Sequence, residues 1–216
     1  MSNTESLRQI LLRAPVIPVI VVHELQHAVP LAQALSEGGL TVLEVTLRTP
    51  VALKAIEAMR RAVPDAVVGV GTITRPEHFR QADEAGAQFG VSPGLTPALA
   101  AAAARVGWPY LPGVMTPGEL LQAQELGYSL CKLFPAQQAG GVAMLKALHS
   151  VFPEAAFCPT GGISRDNAAT FLALRNVLCV GGSWVAPAEL VQAGRWSEIR
   201  SLAADAATLR LTSRDH

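Results

Sequence analysis

Thr41-Val42-Leu43-Glu44-Val45-Thr46-Leu47 and Ala66-Val67-Val68-Gly69-Val70-Gly71 are two short, almost wholly apolar runs, separated by an Ala/Leu-rich segment at helical spacing, Val51–Arg61. Runs this short and this rich in valine read as strands, and the segment between them as a helix. A strand wetted on one side would alternate apolar and polar residues. These runs are continuous, so their sheet is expected to be covered on both faces and hence parallel.

The same alternation extends in both directions. Further strands are expected at Val16–Val22, Gln88–Ser92, Tyr110–Val114, Ser129–Phe134, Ala156–Thr160 and Val177–Gly181, and further helices at His27–Glu37, Pro76–Ala85, Pro97–Arg105, Pro117–Glu125, Val142–His149 and Arg165–Leu174. Helices near Glu5–Leu12 and Trp196–Arg210 bracket the set. Eight strands with their following helices predict an α/β fold, a (β/α)8 TIM barrel with an N-terminal helix, as a single domain over residues 1–216. The competing architecture is an open doubly wound sheet, but no G-x-G-x-x-G follows the first strand.

Composition narrows the function classes. A chain of 216 residues, 50% hydrophobic and 16% charged, can bury one large core. Lys+Arg and Asp+Glu are both 17, so no net charge marks a nucleic-acid or anionic-membrane partner. Met1–Ser6 lacks the pattern of a signal peptide, and no uncharged apolar stretch is long enough to span a bilayer. Cys131, Cys158 and Cys179 are widely spaced in apolar segments, which reads as buried reduced thiols in a cytoplasmic protein.

Lys132 is the most informative residue. It is one of three lysines, with Lys54 and Lys146, and it interrupts the apolar run Ser129-Leu130-Cys131-Lys132-Leu133-Phe134-Pro135. A charged ammonium on a buried strand costs several kcal/mol unless it is paired or neutralised. A neutral amine in an apolar pocket is a carbonyl nucleophile; the bland alternative is a lysine snorkelling to solvent. Side chains alternate faces along a strand, so Leu130, Lys132 and Phe134 share one face and Cys131 and Leu133 the other. Glu44 shares its face with Val42, Thr46 and Arg48. An acid, an amine and a guanidinium directed inward make a plausible catalytic set, although Glu44 could also serve as a structural ion-pair partner of Lys132 or Arg48.

Polar residues and glycines gather at the ends of other strands too: Gly71-Thr72, Ser92-Pro93-Gly94, Thr160-Gly161-Gly162 and Gly181-Gly182-Ser183. In a TIM barrel that end carries the active site, and the last two turns are common phosphate positions. Paired glycines let backbone N–H groups approach an anion; they also simply make tight turns. The five histidines, His23, His27, His78, His149 and His216, show no metal-ligand spacing, so no metal is expected. Trp108, Trp184 and Trp196 read as shell packing between helices, with Trp184 close enough to Ser183 to line the site.

With these residues assembled, the chain resembles the 2-keto-3-deoxy-6-phosphogluconate (KDPG) aldolase family, which also acts as 4-hydroxy-2-oxoglutarate (KHG) aldolase. The resemblance runs from about Pro15 to Ala193 and is carried by Leu43-Glu44-Val45-Thr46-Leu47-Arg48, Gly69-Val70-Gly71-Thr72, Val91-Ser92-Pro93-Gly94, Lys132-Leu133-Phe134-Pro135, Phe157-Cys158-Pro159-Thr160-Gly161-Gly162 and Gly181-Gly182-Ser183-Trp184. It implies a homotrimeric (β/α)8 barrel and a class I aldolase needing neither metal nor cofactor, acting on a small 2-keto acid and releasing an aldehyde. It further implies that Lys132 forms the Schiff base and Glu44 moves the protons. Arg48 and Thr72 would hold the keto-acid carboxylate with Thr160 nearby, Pro93 and Phe134 would wall the pyruvyl half, and Gly161, Gly162, Gly182 and Ser183 would bind a distal phosphate. Two departures stand out: Leu133 replaces an expected aromatic, and Gln137-Gln138 replaces a more acidic loop. An aldolase for a related 2-keto-3-deoxy sugar acid, a phosphosugar isomerase or epimerase, and a noncatalytic phosphometabolite sensor are the rival readings.

Overall fold

The apolar runs demand cover on both faces, and the computed structural model, which describes residues 2–209, provides it: every residue of Val42–Thr46, Val67–Gly71, Leu130–Leu133 and Ala156–Pro159 is buried. In chain order the elements are α1 (Asn3–Leu11), β1 (Val16–Ile20), α2 (Ala28–Glu37), β2 (Val42–Thr46), α3 (Ala52–Ala62), β3 (Val67–Gly71), α4 (Glu77–Glu84), β4 (Gly90–Val91), α5 (Pro97–Val106), β5 (Tyr110–Leu111), β6 (Gly113–Val114), α6 (Pro117–Glu125), β7 (Leu130–Leu133), α7 (Gly141–Val151), β8 (Ala156–Pro159), α8 (Ala168–Leu172), β9 (Val180–Gly182), α9 (Ala188–Gln192) and α10 (Trp196–Ala207). Local chemistry sets several boundaries. Thr116 caps α6 in a reciprocal box with Glu119, and Pro117 starts its first turn. Thr96 caps α5 by accepting the Leu99 N–H, Pro97 starts its first turn, and the helix ends at Gly107 in the left-handed region.

The strands form a curled, parallel α/β sheet system: six strands in the order β5-β4-β3-β2-β1-β9, and three in the order β6-β7-β8. Period-2 alternation sorts the apolar side chains into two clusters. Leu43, Val45, Val68, Val70, Cys131 and Leu133 face outward beneath the helices. Ile17, Val42, Val67, Phe89, Leu111, Leu130 and Leu178 face the inside of the curl, where Leu7 and Leu11 of α1 join them. Helix α1 therefore lies across the N-terminal strand ends and closes that side. Its two leucines are at most 2% exposed, and burying each is worth about 1.5–3 kcal/mol.

Several elements differ from expectation. The predicted strand Tyr110–Val114 is split into β5 and β6 at Pro112, which has no N–H to give; its carbonyl instead accepts the Lys132 N–H at 2.8 Å. The predicted helix Arg165–Leu174 shrinks to the five residues of α8, and the strand expected at Val177–Gly181 becomes β9, with Val177 making a single bridge to Phe157. Helix α9 was not expected: five residues are too few for a periodic signal. Arg210, predicted to end the last helix, and His216 lie outside the described residues.

Candidate active site

The inward parity of β2 and β7 brings two charged residues face to face. Lys132 Nζ donates to Glu44 Oε1 across 3.4 Å, with Lys132 6% and Glu44 3% exposed. The lysine therefore does not snorkel into solvent. A buried ion pair is a poor way to gain stability, because desolvating both charges cancels most of their attraction. Retaining one is better explained by chemistry than by packing. The Phe134 ring lies 5.1 Å from Nζ, within cation–π range, and helps exclude water.

Two glycines make room for the polar side chains. A Cβ on Gly71, at the inward end of β3, would overlap Glu44 Oε1 and lie 2.7 Å from its Cγ. A Cβ on Gly181 would overlap Thr160 Oγ1. Thr160 is itself buried and donates to the Cys158 carbonyl at 3.4 Å. Thr72 follows Gly71 with φ 61°, the one positive-φ residue other than glycine among those described. For a β-branched residue that conformation costs about 1–3 kcal/mol, and such strain concentrates at functional sites.

The remaining predicted residues lie at or just beyond the C-terminal ends of the strands. Pro93 follows Ser92, whose hydroxyl donates to the Gly94 carbonyl at 2.6 Å and thereby fixes the loop. Gly113 lies directly beneath the Pro93 carbonyl, with no room for a Cβ. Arg48 and Ser183 are exposed at the ends of β2 and β9, on the rim rather than in the buried centre. Gly182 is flattened against the Trp184 ring, and Trp184 packs on the outer cluster.

Gly161 and Gly162 are required by the backbone whatever binds there. Their φ values are 98° and 74°, and a Cβ on Gly162 would sit 2.5 Å from Gln137 Cβ. The Gln137 N–H donates to the Gly161 carbonyl at 3.0 Å, so this turn leans on the turn after β7. Asn167, which sequence reasoning passed over, laces it: its Oδ1 accepts the Ser164 N–H at 2.8 Å and its Nδ2 donates to the Gly162 carbonyl at 2.9 Å. An Asn three residues beyond a Ser is a recognisable turn signal. Among the described residues, no group of three or more His, Cys, Asp or Glu side chains converges to hold a metal.

The model of the KDPG and KHG aldolase family matches residues 7–202. The chain is 49% identical over 201 residues to the KHG/KDPG aldolase of Escherichia coli, covering 93% of this chain and 94% of that one. It superposes with a TM-score of 0.92 and 46% identity on a KDPG aldolase from Legionella pneumophila with pyruvate captured at low pH as a covalent carbinolamine intermediate, covering 94% and 98% of the two chains. The KDPG aldolase of Zymomonas mobilis with 3-phosphoglycerate follows, with a TM-score of 0.90, 44% identity, and 96% and 97% coverage. Fold and relatives together define a carbon–carbon lyase of the aldolase class. More narrowly, the chain belongs to the KDPG and KHG aldolase family.

Proposed function

We propose that the chain reversibly cleaves 2-keto-3-deoxy-6-phosphogluconate to pyruvate and D-glyceraldehyde 3-phosphate, and 4-hydroxy-2-oxoglutarate to pyruvate and glyoxylate, through a Schiff base on Lys132. The observation that carries this reading is the buried Lys132–Glu44 pair, 3.4 Å apart inside the curl of the sheet. The covalent pyruvate adduct of the Legionella relative supports the same chemistry.

In this scheme neutral Lys132 attacks the C2 ketone, water leaves, and the resulting iminium serves as the electron sink. Glu44, directly or through one water, takes the C4 hydroxyl proton; the C3–C4 bond breaks and the aldehyde departs, leaving an enamine. Glu44 returns a proton to C3, and hydrolysis frees pyruvate and regenerates the amine. Arg48 reaches from the rim for the carboxylate, which a guanidinium matches with two parallel hydrogen bonds. Thr72 and Thr160 hold the same half, Pro93 and Phe134 wall it, and the backbone of Gly161, Gly162 and Gly182 with the Ser183 hydroxyl meets the distal phosphate. The Zymomonas relative with 3-phosphoglycerate supports a place for a three-carbon phosphate.

We further infer that the strands close into an eight-fold (β/α)8 barrel as a single domain. The bridge Thr160–Gly181 joins the end of β8 to β9, Phe157–Val177 joins β8 to the segment leading into β9, and Pro112 links β5 to β6. We infer a cytoplasmic homotrimer, as the resemblance to the family implies. No helix among the described residues is long and apolar enough to cross a membrane.

Borohydride reduction in the presence of pyruvate tests the reading. The expected result is one covalent adduct, on Lys132. An adduct on Lys54 or Lys146, or none, would overturn it.

A further inference from the structure

We propose that Gly71 is a positioning residue for the proton-transferring carboxylate: it provides the space in which Glu44 is held against Lys132. This rests on the Schiff-base reading above and adds a residue to it.

The inward positions of β3 are Val67, Gly69 and Gly71, while the outward ones, Val68 and Val70, are large and buried. Glycine inside a strand gives up backbone entropy and contributes no packing, so two inward glycines on one short strand need a reason. Each receives a side chain from a neighbouring strand. The Phe89 ring lies over Gly69, where a Cβ would clash with it. The Glu44 carboxylate lies over Gly71, where a Cβ would overlap Oε1 and come within 2.7 Å of Cγ and 2.8 Å of Cδ.

Neither backbone strain nor a tight turn demands glycine here. Gly71 is absent from the positive-φ residues, and the three nearest atoms to its missing Cβ all belong to the Glu44 side chain. An alanine would therefore be tolerated by the main chain and would act on the carboxylate. The oxygen that a Gly71 Cβ would overlap, Oε1, is the one that accepts from Lys132 Nζ at 3.4 Å, so crowding at Gly71 falls on the atom that meets the amine. A methyl group at Gly71 would push the carboxylate along or across the pocket by about an ångström, a displacement of the size that costs proton transfer about 10²-fold.

The test is Gly71→Ala, alone and combined with Glu44→Ala, read by solvent exchange of the pyruvate methyl protons, by borohydride trapping of Lys132 and by thermal unfolding. In the wild-type background the substitution should leave the Lys132 adduct intact and slow exchange by about 10²-fold. With Glu44 already truncated, the added methyl should change the residual exchange less than about 2-fold, because it has nothing left to displace. Exchange as fast as wild type in Gly71→Ala would overturn the proposal. So would an equal loss in both backgrounds, which marks a packing role. Should Gly71→Ala fail to fold, recovery of the fold in the double variant supports the steric link to Glu44, and continued unfolding refutes it. Wild-type protein with no adduct on Lys132 would instead overturn the aldolase reading, and this inference with it.

Discussion

The Tyr110 hydroxyl lies 2.5 Å from Ser92 Oγ, and Ser92 in turn donates to the Gly94 carbonyl, so a buried relay of two hydroxyls ties β5 to the loop that carries Pro93. With the Ser92 proton committed to Gly94, Tyr110 must be the donor of the first bond. Tyr110→Phe removes that bond and leaves Ser92 its other partner, so it should cost about 1 kcal/mol. Ser92→Ala leaves the Tyr110 hydroxyl unpaired and releases the Pro93-Gly94 loop, and should cost about 1–3 kcal/mol. Denaturant titrations of the two variants give the order; the reverse order would contradict the relay.

The roles proposed for the Lys132 amine and the Glu44 acid can be separated by substitution. Glu44→Gln should still be trapped by pyruvate and borohydride, while aldol cleavage and methyl proton exchange fall together by about 10²–10⁴-fold. Lys132→Arg should lose trapping and cleavage alike, since a guanidinium does not give up its proton to become a nucleophile. Unchanged exchange in Glu44→Gln would assign the proton transfer to another group.

The two turns proposed to meet the distal phosphate should respond differently from one another. Ser183 is exposed on the rim, and Ser183→Ala should lower kcat/KM about 10- to 150-fold for a substrate with a distal phosphate, with a much smaller change for 4-hydroxy-2-oxoglutarate. Gly162, by contrast, holds φ 74° against Gln137, so Gly162→Ala should impair both substrates and lower stability. Equal losses on both substrates in Ser183→Ala would remove its hydroxyl from phosphate recognition.

Alkaline pH should loosen the fold through its buried thiol and phenols. Burial pushes the Cys131 thiol from 9.0 up to about 12, and burial likewise raises the Tyr110 and Tyr128 phenols, with the Ser92 hydrogen bond opposing part of the rise at Tyr110. These groups keep their protons longer in the folded chain than in the unfolded one. The stability they contribute is therefore intact below about pH 9 and is lost for Cys131 as pH climbs from 9.0 through about 12. Melting temperature measured across that window should fall, and Cys131→Ala should flatten the slope whatever it does to the neutral value. All three cysteines are buried, so thiol reagents should label them only on unfolding.

How much of this was legible in the sequence follows from which regularities are local. The period-2 rule placed Leu130 and Lys132 on one face and Cys131 and Leu133 on the other, and the two clusters show that division. It placed Glu44 inward by the same rule. What parity cannot give is that these two inward residues, 88 apart in the chain, meet at one height. That depends on register summed over strands that never touch each other. Pro112 offered a sign that its strand would break, but α9 offered none, being shorter than two turns. Gly71 read as the end of a strand, because the reason for its smallness is the Glu44 side chain supplied by the neighbouring strand β2.

Helix α1 has a consequence for traffic. With Leu7 and Leu11 packed among the inward side chains, α1 covers the N-terminal strand ends, so a substrate would approach Lys132 and Glu44 from the opposite ends of the strands. In the proposed scheme the pyruvyl fragment is tethered to Lys132 while the aldehyde fragment occupies the approach. Departure would then run aldehyde first, and synthesis would load the keto acid before its partner. Product-inhibition patterns should show a compulsory sequence, and an enzyme drilled open at α1 would be free of it.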